Sequence, residues 1–140
     1  MIDSSKKVRE FFKKANRNID LPNFWRFPAD SCEGASLFLG NILKELFPKS
    51  KILYIKGYNP NGRIHFWLNV DGLIFDITAD QFPEVDFPIY ASKIQPLESE
   101  FNDLEIRSIE EAFLESDVTN STYKNTLMIE LRFFLTGRVY

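Results

Sequence analysis

The sequence predicts an α+β fold in which helices flank a short antiparallel sheet. Three observations carry that expectation. Apolar residues recur at helical spacing towards both ends of the chain. Between them, residues 51–78 form apolar runs rich in Ile, Leu, Phe and Tyr, split by two turn signals. The order is helix, helix, strands, helix, which segregates the element types instead of alternating them. The 140 residues are expected to form a single domain, residues 1–140.

The first helix is expected over residues 6–15, capped by Ser4 or Ser5, with Val8, Phe11, Phe12 and Ala15 on one face. Lys6, Lys7, Lys13 and Lys14 then form a solvated face. Residues 16–28 read as a loop, broken by Pro22 and Pro28. A second helix fits residues 31–47, ended by Pro48, with Asp30 and Glu33 as a capping box.

Strands are expected over residues 51–58, 64–70 and 73–78. Asn59-Pro60-Asn61-Gly62 makes the first turn. Asp71-Gly72 makes the second, and a two-residue Asp-Gly link between apolar runs is the strongest short hairpin signal. Residues 80–95 hold Pro83 and Pro88 and read as a loop or edge segment, with Asp80 capping a turn. Residues 98–111 are acidic and read as solvated surface. Helices follow over 108–114 and 122–134, with Gly137 as C-cap.

Composition narrows the function. Hydrophobic residues at 44% and charged residues at 26% exclude a disordered, collagenous or coiled-coil chain. One cysteine excludes an internal disulfide framework, and one histidine excludes the common His-rich zinc sites, so no metal or cofactor is implied. A net charge of −3 argues against a nucleic-acid partner. No apolar stretch approaches the roughly 18 residues of a membrane span, so no membrane partner is expected. Residues 1–7 lack the apolar run of a secretory signal. The expected location is the cytoplasm, although a leaderless secreted effector would look the same.

The one cysteine and the one histidine stand in positions that suit chemistry. Cys32 falls at the start of the second helix, at N2 if Asp30 is the N-cap. A helix N-terminus offers free N–H groups and partial positive charge, which favour a thiolate and can hold an oxyanion. His65 opens the second strand. With Asp71-Gly72 as the turn, Val70 pairs with Leu73, Asn69 with Ile74, and so on to His65 with Thr78. Residues 65, 67, 69, 74, 76 and 78 then share one face, and the opposite face is wholly apolar. His65 and Asp76 become diagonal neighbours, about 7–8 Å apart along the backbone and bridgeable by their side chains. Cysteine, histidine and aspartate so placed form a nucleophile, a base and an orienting group.

Three stretches carry a family resemblance. They are Asp30-Ser31-Cys32-Glu33-Gly34-Ala35-Ser36, His65-Phe66-Trp67-Leu68-Asn69-Val70-Asp71-Gly72, and Phe75-Asp76-Ile77-Thr78-Ala79-Asp80-Gln81-Phe82. Over residues 28–82 the chain resembles the transglutaminase-like branch of the papain-like cysteine-protease superfamily. Members carry Cys, His and Asp in this order, commonly with an aromatic residue two after the His, as Trp67 is here. The resemblance implies a cysteine-bearing helix packed on a short antiparallel sheet, and hydrolysis, deamidation or acyl transfer through a thioester, without a cofactor. Two features depart from the pattern. Glu33 follows the cysteine, where small or aromatic residues are common. No Gln lies upstream as side-chain oxyanion donor, which leaves Asn23, Trp25 or, from the far side, Gln81. Trp67 either walls the cleft or packs in the core, and the loop 23–27 either borders the cleft or is buried.

The expected function is a thiol-dependent hydrolase (peptidase, amidase or deamidase) with catalytic Cys32, His65 and Asp76. Trp67, Trp25, Asn23 and Gln81 are its candidate substrate-binding residues, and a peptide or protein amide is its substrate. The alternatives are an acyltransferase or cross-linking enzyme with the same triad, and a non-catalytic binding module that keeps the fold.

Overall fold

In the computed structural model, which describes residues 1–137, five strands form one antiparallel sheet in the order β4-β3-β2-β1-β5. The strands are β1 (Ile52–Tyr58), β2 (Ile64–Val70), β3 (Leu73–Asp76), β4 (Ile89–Ser92) and β5 (Asp103–Ser108). The helices are α1 (Ile2–Ala15), α2 (Cys32–Leu46), α3 (Ile109–Glu115) and α4 (Ser121–Thr136). The expected α+β class therefore holds. No helix among the described residues is long and apolar enough to cross a membrane.

Period-two alternation decides how the sheet is covered. Phe66, Leu68, Val70, Phe75 and Ile77 join Leu37, Phe38 and Ile42 of α2 and Val8 and Phe12 of α1 in one core. Ile55, Trp67 and Ile74 face the other way, into a smaller core. Among the described residues, no α-helix contributes to that second core. Ala79, Phe82, Leu97 and Phe101, from the irregular chain between β3 and β5, close it instead.

The β2–β3 hairpin forms around Asp71 and Gly72, whose φ values of 52° and 88° are both positive, as a primed turn needs. Its register is the expected one over Val70–Leu73, Asn69–Ile74 and Leu68–Phe75. The ladder stops there, and β3 ends at Asp76, two residues short of the expected end. The chain then leaves the sheet through a 3₁₀ turn at residues 79–81.

Other expectations need correction. Helix α1 begins at Ile2 and has no serine cap; Ser5 is buried inside the helix and its hydroxyl donates to the Met1 carbonyl. Helix α2 begins at Cys32, with Ser31 at the N-cap. The Asp30–Glu33 capping box is absent, because Asp30 takes a left-handed conformation (φ 54°) and pairs with Arg26. Asp80 does not cap a turn; its carboxylate meets the Arg9 guanidinium at 2.9 and 2.7 Å. Strand β5 lies within the acidic stretch read as plain surface. Helix α3 is capped by Ser108, and α4 ends at Gly137 with φ 73°, as expected.

Candidate active site

Cys32 is the first helical residue of α2, one position earlier than N2. At this position its backbone N–H has no partner within the helix. The approach to the helix is clamped at Asp30. The Asp30 N–H donates to Gln81 Oε1 (3.1 Å), its carbonyl accepts from Asn23 Nδ2 (3.2 Å), and its carboxylate pairs with Arg26. One turn beyond Cys32, Ser36 Oγ donates to the Phe66 carbonyl (3.2 Å). That bond ties α2 to the start of β2, where His65 stands.

His65 and Asp76 are both 0% exposed, and His65 Nε2 lies 2.7 Å from Asp76 Oδ2. The carboxylate only accepts, so Nε2 is the protonated nitrogen. Gln95 Nε2 donates to the same oxygen (2.9 Å), and the Thr78 N–H donates to Oδ1 (3.2 Å). Gln95 is held in turn, because its Oε1 accepts from the Leu97 N–H (3.2 Å). A buried carboxylate is thus satisfied by three side-chain and backbone partners. Phe82 meets the imidazole edge-on with ring centres 4.9 Å apart, and Trp67 and Phe101 lie at 5.7 Å.

Charge decides the protonation of this ring. Burial, the largest single influence, opposes imidazolium. The Asp76 charge and hydrogen bond, reinforced by Cys32, together outweigh it and push the His65 pKa up to about 10. With Nε2 taken by Asp76, Nδ1 is the nitrogen left for the cysteine, and it holds no well-aligned hydrogen bond.

Cys32 opens on a shallow groove of about 390 Å³ lined by Asp30, Cys32, Glu33, Arg63, Ile64, Phe66, Gln81 and Phe82. Glu33 is exposed overall, yet partial desolvation of its carboxyl raises its pKa, against the pull of Lys56. Among the described residues, no group of three or more His, Cys, Asp and Glu side chains could hold a metal ion.

The sequence-chosen residues divide. Cys32, His65, Asp76 and Gln81 come together. Trp67 does not wall the groove: it is 1% exposed and packs in the second core beneath His65. Trp25 is 68% exposed but outside the groove lining, and Asn23 spends its amide on the Asp30 carbonyl. Phe24, in the same loop, is wholly buried. Gln95 was missed. It lies in an irregular segment without periodicity, and its bond to Asp76 is a tertiary fact that no local pattern announces.

No family model, no curated protein and no solved structure matches the chain.

Proposed function

We propose that the protein is a thiol-dependent amide hydrolase with a papain-like, transglutaminase-like core. The observation that carries this reading is the buried His65–Asp76 pair, which leaves Nδ1 as the ring nitrogen for Cys32. His65, already protonated at neutral pH, holds Cys32 as the thiolate of an ion pair, and the thiolate attacks the amide carbonyl carbon. The C–N bond then breaks as imidazolium protonates the departing amine. Water, deprotonated by His65, cleaves the resulting thioester and frees the acid and the thiol. Asp76 fixes the ring and stabilises its charged form. An open groove suits a peptide or a protein side chain better than an enclosed small molecule.

Iodoacetamide labelling at pH 6 tests the reading. An ordinary thiol of pKa near 8.5 is almost wholly protonated there and reacts slowly. Cys32 is expected to react at least tenfold faster than glutathione. His65→Ala should abolish that advantage, and Cys32→Ala all labelling. Labelling no faster than glutathione, or unchanged in His65→Ala, would replace this reading with that of a binding module. Product analysis with and without methylamine separates hydrolysis from acyl transfer, since an amine in place of water turns the same thioester into an acyl donor.

A further inference from the structure

Among the described residues, the buried side-chain nitrogen and oxygen atoms without a hydrogen-bond partner are Ser31 Oγ, His65 Nδ1 and Gln81 Nε2. All three belong to residues around Cys32. Ser31 precedes it, His65 is its base, and Gln81 lines the same groove. A buried polar group left unpaired forfeits its hydration with nothing in return, so native folds satisfy nearly all of them. His65 Nδ1 serves the Cys32 thiol, and the other two, Ser31 Oγ and Gln81 Nε2, are left beside it for a polar group that arrives from outside.

Of the three, Gln81 has the most definite direction. The Asp30 N–H can only donate, so the Gln81 amide oxygen must be the atom that faces it. The NH₂ group is thereby fixed at the opposite side of the amide, with two protons and no acceptor. A hydroxyl such as that of Ser31 rotates freely and carries no such assignment. The other side-chain candidates are committed or remote: the Asn23 amide donates to the Asp30 carbonyl, and Trp25 lies outside the groove lining.

We infer that Gln81 is the side-chain oxyanion donor, binding through Nε2–H, together with the Cys32 backbone N–H, the oxygen of the tetrahedral adduct formed on Cys32. This rests on the thiol-hydrolase reading above. When the thiolate adds to the carbonyl carbon, the S–C bond forms and the carbonyl π pair moves onto oxygen. That oxygen accepts from Gln81 Nε2 and Cys32 N. When the adduct collapses, the pair returns and the leaving group departs. The clamp on Asp30 holds donor and nucleophile in one frame, because Gln81 Oε1 grips the backbone two residues before Cys32.

Two small probes separate this role from a purely structural one. p-Nitrophenyl acetate acylates a thiolate through an oxyanion and releases p-nitrophenolate. Iodoacetamide alkylates the same thiolate by displacing iodide, and no oxyanion forms. The readout is the ratio of the two rate constants at Cys32, which cancels any change in the thiolate itself. Gln81→Glu keeps an acceptor for the Asp30 N–H but loses the donor, and Gln81→Met loses both. In each variant the ratio is expected to fall at least tenfold, since one oxyanion donor is commonly worth about 10²–10³ in rate. A wild-type ratio in either variant would overturn the assignment, whether or not both rates had dropped together. The nucleophile reading would then still stand on the His65 dependence of alkylation. If the wild-type thiol reacts with neither probe faster than glutathione, both readings fall.

Discussion

Two opposing forces act on one proton at His65. A ring with no exposure would ordinarily stay neutral, but the carboxylate 2.7 Å away reverses that preference and raises its pKa to about 10. The sign of the consequence follows from linkage. Between about pH 6.5 and 10 the folded protein keeps a proton that the unfolded chain releases, so stability declines as pH rises through this window. Below about pH 6.5 the contribution is present in full. The urea midpoint, followed by tryptophan fluorescence, should therefore drop between pH 7 and pH 10. In Asp76→Asn, which removes the charge responsible, the drop should shrink, and equal slopes in the two proteins would refute the account. At this scale the sequence was legible wherever strand alternation governs. Residues 65 and 76 share a face because the Asp71-Gly72 turn sets the register, and that much is arithmetic. Gln95 and the Asp30 clamp were not legible, because their partners lie 19 and 51 residues away with no repeat connecting them.

At the scale of elements, the placement of α2 decides whether Cys32 meets His65. A Cβ built on Gly40 would lie 2.6 Å from Ile109 Cδ1 and 3.0 Å from Leu68 Cδ2, so α2 rests directly on β2 and on the start of α3. Gly40→Ala must displace the Ile109 side chain, which is met at Cγ1 (2.9 Å) as well as at Cδ1, or lift the helix off that seat. It is expected to cost about 1–3 kcal/mol in urea unfolding, the usual range for overpacking. It should also slow Cys32 alkylation, by displacing the thiol from Nδ1. Gly62→Ala is the control: nothing lies within 4 Å of its Cβ, but φ is +86°. It should cost about 1 kcal/mol through backbone strain alone and leave the thiol rate untouched. A Gly40 variant with normal thiol chemistry would show that the helix tolerates the shift. The start of α2 was misread by one residue for a physical reason. Aspartate suits both an N-cap and a left-handed bend, and tertiary clamping chose the second at Asp30. Strand β5 had a signal in the period-two placing of Leu104 and Ile106, but its charged neighbours disguise an edge strand as surface.

For the whole molecule, the question is what holds the N-terminal helix to the strand end that carries Asp76. Arg9 does this from α1. Its guanidinium grips both Asp80 oxygens, donates to the Ile77 carbonyl and stacks 5.6 Å from the Phe27 ring. The Arg9 and Asp80 side chains are only 12% and 17% exposed, so solvent and salt screen the pair weakly. Ile77 lies directly after Asp76, so the contact also steadies the residue that orients His65. Arg9→Met would leave the Asp80 carboxylate and the Ile77 carbonyl without this partner, an expected cost of about 2–3 kcal/mol. Asp80→Leu alone should cost less, because Arg9 retains the Ile77 carbonyl and can reach water. The double variant Arg9→Met/Asp80→Leu should be more stable than the sum of the singles implies, since no carboxylate remains unpaired. The expected coupling is about 1–2 kcal/mol and should change little between low salt and 1 M NaCl. Urea unfolding of the four proteins at both salt concentrations measures it. Strictly additive costs would show that α1 is held by its apolar face alone, through Val8 and Phe12, and that the ion pair contributes nothing to the seat of Asp76.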